Sequence, residues 1–284
     1  MSVSPKIVSF GDSFIYGSEL QNEIIGAWPS LIAARLDCKY ETFAVPGCGN
    51  DHIARQIYSY FSKNSAKDTL AVINWTWASR WDFYVLKPFL DKVSIDKIPE
   101  QTYNQFAGES WPTFDGFIKG TKSPNQHIQT EIDQFVNNLT ILREGKWITL
   151  GPTCVPKNLD WISDSHTAEQ LISFYNEYAN KSVLWNNFKT LQTISAVQFF
   201  LKTHNILNIQ TYMDYEIFDT SADYLTELQN LVKPNVELFF ENRNFLDWAR
   251  DCHFAVTDSP GDHPLEQAHH AAADLWISRY KEKI

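Results

Sequence analysis

At 284 residues the chain has room for one large domain, or one domain with a sizeable insertion, and for a substantial buried core. A net charge of −10 and a pI near 5.2 oppose nonspecific binding to nucleic acid or an anionic membrane, both of which select clustered Lys and Arg, so neither partner is expected. No stretch has the roughly eighteen unbroken apolar residues of a membrane span, and the opening residues lack the apolar core of a signal peptide, which leads us to expect a cytoplasmic protein.

The first element is an apolar, strand-like run, Lys6-Ile7-Val8-Ser9-Phe10, that ends abruptly in Gly11-Asp12-Ser13. A serine at a sharp strand-to-helix turn exposes its hydroxyl at the carboxyl edge of a sheet, where backbone amides can stabilise developing negative charge. A turn or helix-cap role accounts equally for the residue types. A helix through Trp28 to Leu36, a strand at 39–44, a helix at 50–63 and a strand at 69–75 follow. Such alternation argues a parallel sheet with helices on both faces. Between the second strand and its helix lies Val45-Pro46-Gly47-Cys48-Gly49-Asn50, a turn whose glycines let backbone N–H groups approach a ligand without side-chain interference.

After Trp81 the pattern breaks down. Residues 88–128 contain Pro88, Pro99, Pro112 and Pro124 among scattered aromatics and glycines, and read as an irregular insertion or lid within a single domain spanning 1–284. Helical periodicity returns at 128–142, 166–184 and 186–204, followed by a strand near 206–212 and a helix near 220–231. Near the end, Asp258-Ser259-Pro260-Gly261-Asp262-His263-Pro264 opens an Ala-rich C-terminal helix. A histidine before a proline is held extended at the helix entrance, a natural position for a general base.

The two ends together resemble the SGNH, or GDSL-type, hydrolase family, in which a serine in an N-terminal Gly-Asp-Ser block works with a histidine in a C-terminal Asp-x-x-His-Pro block. The resemblance implies a three-layer α/β/α, flavodoxin-like sandwich and a serine esterase or acyl hydrolase in which Ser13 is the nucleophile and His263 the base. It further implies that the amides of Ser13 and Gly47 bind the oxyanion. The family's Gly-x-Asn-Asp block is missing. At its place stands Asn74-Trp75-Thr76-Trp77-Ala78-Ser79-Arg80, from which Thr76 is the candidate oxyanion donor and Arg80 the candidate substrate-binding residue.

The acid also departs from the family pattern, because Pro260 occupies its place. A type II turn over Ser259 to Asp262 would set Asp258 beside His263, which favours Asp258. Asp262 is the alternative, and a dyad without an acid is a third arrangement. His269 falls where the family has a second, structural histidine.

No metal or other cofactor is expected. The cysteines at 38, 48, 154 and 252 show no CxxC spacing, the histidines lack metal-binding periodicity, and no Gly-rich phosphate loop follows a strand. The expected partner is a small-molecule ester or an acylated carbohydrate, the latter suggested by family analogy and ten tryptophans. The competing reading is a noncatalytic binding or structural module on the same scaffold.

Overall fold

The computed structural model describes residues 6–86, 145–151, 165–214, 216–219, 222–236, 243–258 and 262–280. The insertion expected at 88–128 and the helix expected at 128–142 lie outside the described residues.

In chain order the strands are β1 (Lys6–Phe10), β2 (Lys39–Thr42), β3 (Thr69–Trp75), β4 (Trp81–Leu86), β5 (Gly145–Leu150) and β6 (Leu207–Tyr212). The helices are α1 (Ser13–Tyr16), α2 (Trp28–Arg35), α3 (Asn50–Lys63), α4 (Ser165–Glu177), α5 (Val183–Thr203), α6 (Glu216–Asp219), α7 (Asp223–Val232), α8 (Phe245–Asp251) and α9 (Glu266–Tyr280). Four strands form a parallel sheet in the order β2-β1-β3-β6, and β4 and β5 form a separate antiparallel ribbon.

Alternation along the strands sorts the core into two halves. Ile7, Leu70, Val72 and Ile209 pack on one face with Trp28 and Ile32 of α2, Phe245 and Trp248 of α8, and Ala272 and Trp276 of α9. Val8, Phe10, Ala71 and Ile73 pack on the other with Ile53 and Ile57 of α3, Leu191 and Ile194 of α5, and Leu225 of α7. The expected three-layer α/β/α sandwich is therefore the fold. Every residue of β3 is buried, as a central parallel strand covered on both faces requires, whereas β2 at the edge alternates exposed and partly buried positions.

Helix 50–63 and strand 69–75 have their expected bounds. The second strand ends at Thr42, yet Phe43 and Val45 continue to donate to the carbonyls of Ser9 and Gly11, at 2.8 and 2.9 Å, and carry the next turn alongside the end of β1. The helix expected at 166–184 breaks after Glu177, and a 3₁₀ turn, Ala179–Lys181, precedes α5. The carbonyls freed by that break are taken up by side chains: Asn186 Nδ2 donates to the Ala179 carbonyl at 2.8 Å and Ser182 Oγ to the Tyr178 carbonyl at 2.7 Å.

The C-terminal helix closes over the start of α2. Trp28 stacks on Trp276 with ring centroids 5.9 Å apart, and the Trp28 N–H, one of the donors a helix start leaves without a partner, bonds to His269 Nδ1 at 3.0 Å. This contact brings the two ends of the chain together at the carboxyl edge of the sheet.

Ile73 is fully buried in the middle of the central strand. Ile73→Ala is expected to cost about 2–5 kcal/mol, read as a lower urea midpoint with an unchanged slope.

Candidate active site

The turn after β1 is sterically determined. A Cβ on Gly11, whose φ is +158°, would lie 2.7 Å from Ile15 Cγ1 and 3.1 Å from the Asn74 carbonyl, so a larger residue would push the turn off β3. Asp12 caps α1 by accepting from the Phe14 N–H at 3.1 Å, and the single helical turn stops at Gly17, which is left-handed with φ +80°. Ser13 thus stands at the carboxyl end of β1, between β2 and β3. In sheets of this kind ligands bind at that edge, where the strand order reverses. Ser13 is 7% exposed, and no group among the described residues hydrogen-bonds to its Oγ.

Asp12 is the centre of a buried network. Besides Phe14, its carboxylate accepts from Asn74 Nδ2 at 3.3 Å, Thr76 Oγ1 at 2.6 Å and Arg80 Nη1 at 3.0 Å. Arg80 also donates to Thr76 Oγ1 at 2.8 Å and to the Cys48 carbonyl at 3.2 Å. This geometry differs from the roles expected of Thr76 and Arg80. The hydroxyl proton of Thr76 is committed to Asp12, and the Arg80 guanidinium is buried against the same carboxylate and lies 4.7 Å from the Trp77 ring. Sequence reasoning singled out neither Asp12 nor Asn74 for this role. The available signal was a polar residue immediately before a serine that ends an apolar strand.

The Gly47 turn has type II features: Pro46 at the second position, Gly47 with φ +78° at the third, and a Cys48 N–H to Val45 carbonyl bond of 3.1 Å. The Gly47 N–H has no acceptor among the described residues. Cys48 Sγ donates to the Gly11 carbonyl at 3.3 Å, and burial pushes the thiol well above its ordinary pKa. Asn50 clamps the next loop, with Oδ1 accepting from the Thr76 N–H at 2.8 Å and Nδ2 donating to the Thr76 carbonyl at 3.0 Å.

His263 comes to the same edge from the other end of the chain. Its ring lies 4.9 Å from the ring of Phe14, the residue after Ser13, and Phe14 in turn lies 5.6 Å from half-buried Trp77. The loop is pinned by two bonds to Thr257, His263 N–H to Oγ1 and Thr257 N–H to the His263 carbonyl, both 2.9 Å, and by a bridge between Val256 and Pro264. Ser13 and His263 make no direct hydrogen bond.

Among the described residues neither expected acid forms an ion pair or hydrogen bond with the histidine ring. Asp262 is left-handed, with φ +49°, and pairs with Arg250 at 3.1 Å; Asp258 is exposed. The turn proposed between them rests on residues 259–261, which are outside the described residues. The carboxylate nearest His263 Nδ1 among the described ion pairs belongs instead to Glu19, at 3.6 Å, a residue with no motif to mark it in the sequence. His269 uses Nδ1 as an acceptor for Trp28, and its ring is buried. Among the described residues no cluster of His, Cys, Asp and Glu has the makings of a metal site, and no helix is long and apolar enough to cross a membrane.

No family model matches the sequence, and no curated protein matches it. Several solved structures are similar. One is a psychrotrophic esterase from Pseudoalteromonas sp., inhibited by monoethylphosphonate, at 10% identity and a TM-score of 0.45 over 98% of this chain and 97% of that one. A second is a member of the lipolytic G-D-S-L family from Veillonella parvula, at 10% identity and a TM-score of 0.35 over 98% and 99%. A third is an acetyl xylan esterase from Butyrivibrio proteoclasticus, at 12% identity and a TM-score of 0.40 over 100% and 65%.

Two consequences are measurable. Arg80→Ala leaves the Asp12 carboxylate buried without its counter-charge and is expected to cost about 3–5 kcal/mol in urea denaturation. His52 and His269 are held neutral by burial, which lowers their pKa from 6.5 to about 4 and about 3. Because the folded-state values are depressed, this stability is fully present above pH 6.5 and is lost as the pH falls toward those values. The urea midpoint should therefore decline through that window, and less steeply in His269→Gln.

Proposed function

We propose that this protein is a serine esterase, with Ser13 as nucleophile and His263 as general base. The observation that carries this reading is the convergence of the two ends of the chain. Ser13 lies at the carboxyl edge of β1 in a turn that leaves its hydroxyl without a hydrogen-bond partner among the described residues, and the His263 ring packs on the adjacent Phe14.

In this mechanism His263 takes the Ser13 proton as Oγ attacks the ester carbonyl, and the oxyanion is met by backbone N–H groups. Those of Ser13 and Gly47 have no acceptor among the described residues, which suits the role. The tetrahedral adduct then expels the alcohol, which receives the proton from His263, and water repeats the sequence to release the acid. The Asp12 network holds the nucleophile turn, the Thr76 loop and the Cys48 carbonyl in one frame, so the reacting groups need little reorganisation.

For substrate we propose a small acyl ester, with an acylated carbohydrate as the preferred class. Half-buried Trp77 lies beside Phe14, and an indole ring is the kind of surface on which sugars stack. We take residues 1–284 as one such domain, with 88–128 as an insertion.

The test is covalent labelling by a fluorophosphonate together with hydrolysis of acetyl and butyryl esters. Wild-type protein should be labelled at Ser13, and Ser13→Ala and His263→Ala should each abolish labelling while the thermal midpoint changes little. A folded wild-type protein that is inert to both the probe and the esters would overturn the reading in favour of a noncatalytic binding module.

A further inference from the structure

The histidine of a serine hydrolase needs its Nδ1 hydrogen held, so that Nε2 faces the nucleophile as a free base. In this chain His263 Nδ1 is buried and has no hydrogen-bond partner among the described residues. Such an atom needs an acceptor, because an unpaired buried N–H carries its full desolvation cost. Of the two acids expected from the histidine loop, Asp262 is turned to Arg250, and Asp258 is exposed, with no ion pair or hydrogen bond among the described residues.

Glu19 supplies what these do not. Its Oε2 lies 3.6 Å from Nδ1, an ion-pair distance slightly beyond a hydrogen bond. Catalytic hydrogen bonds are often long without substrate and tighten when it binds. Three further features aim the carboxylate at the ring. Glu19 holds a left-handed backbone, φ +70°, which few side chains other than Asn and Asp adopt readily, and its N–H bonds to Glu23 Oε1 at 3.4 Å. Its loop is closed by the Ile24 N–H to Tyr16 carbonyl bond of 2.8 Å. It is also stapled to the start of α9, just past His263, by the Gln21 N–H to Glu266 Oε1 bond of 2.9 Å. The Glu19 loop and the His263 loop are therefore held together independently of the contact between the two side chains.

We propose that Glu19 is the acid of the site, a positioning residue that acts through His263. The inference rests on the reading of Ser13 and His263 as nucleophile and base. The Glu19 carboxylate accepts the Nδ1 hydrogen, keeps Nε2 unprotonated toward Ser13, and stabilises the imidazolium that forms when the Oγ proton moves to Nε2 and Oγ bonds to the acyl carbon. When the adduct collapses, that proton leaves with the alcohol. The acid of this site is thus supplied by the loop after the nucleophile helix and not by the histidine loop.

The test uses the full-length protein, with p-nitrophenyl acetate turnover, fluorophosphonate labelling and thermal midpoint as readouts. Glu19→Gln should lower kcat by about 10²–10⁴-fold with KM nearly unchanged, and Glu19→Asp should recover part of the loss. A merely structural role would lower the thermal midpoint along with kcat and would not be relieved by the shorter carboxylate. Glu19→Asn suits the left-handed backbone and should fold at least as well while losing the same activity.

Activity within threefold of wild type in Glu19→Gln, with Ser13→Ala dead, would overturn the proposal and leave the esterase reading standing. A larger loss in Asp258→Asn or Asp262→Asn than in Glu19→Gln would do the same. A wild-type protein inert to probe and ester would overturn both.

Discussion

A carboxylate with no exposure to water organises this molecule. Asp12 sits at the end of β1, and four donors from two segments converge on it: the Phe14 N–H from its own turn, and Asn74, Thr76 and Arg80 from the end of β3 and the loop after it. A buried carboxylate is tolerated only when it is paired and hydrogen-bonded, so the loops after β1 and β3 cannot shift independently without stranding a charge. Arg80 extends the constraint to the Gly47 turn through the Cys48 carbonyl, and Asn50 locks α3 to the Thr76 backbone. The carboxyl edge of the sheet is in effect one hydrogen-bonded block, with Ser13 on its rim.

A second constraint acts from the opposite end of the chain. Helix α9 is fastened to α2 through Trp276 stacked on Trp28 and through His269 Nδ1, which accepts the Trp28 N–H. An imidazole can accept there only while that nitrogen is unprotonated, and burial keeps it so. The same helix start holds the Glu19 loop through Glu266, whose pKa is lowered chiefly by the Gln21 N–H. The entrance of α9 therefore fixes the His263 loop relative to the first helical turn, although the two lie far apart in sequence.

The sheet supplies rigidity to both. β1 and β3 are central and parallel, covered by helices on each face, and the strand order reverses at the edge where both loops meet. The short turns Gly11-Asp12-Ser13 and Val45-Pro46-Gly47-Cys48 spring from the ends of these strands, and the Val45 N–H to Gly11 carbonyl bond ties one to the other.

Much of this was legible from sequence, for local reasons. Apolar runs of strand length alternating with helical periodicity determined a three-layer parallel fold, down to the bounds of the 50–63 helix and the 69–75 strand. Gly11, Pro46 and Gly47 declared their turns because few other residues adopt those backbones in that space. What sequence could not determine was which polar side chains face one another, since that depends on contacts between segments distant in the chain. Thr76 and Arg80 are ordinary choices for a ligand-facing loop until the tertiary structure turns them inward to Asp12. Asp258 and Asp262 are neighbours of His263 in sequence, yet one is exposed and the other is drawn to Arg250. The carboxylate that reaches the ring, Glu19, comes from the far end of the chain: adjacency along the backbone does not set side-chain direction, and only packing of α9 against the first loop brings those two groups together.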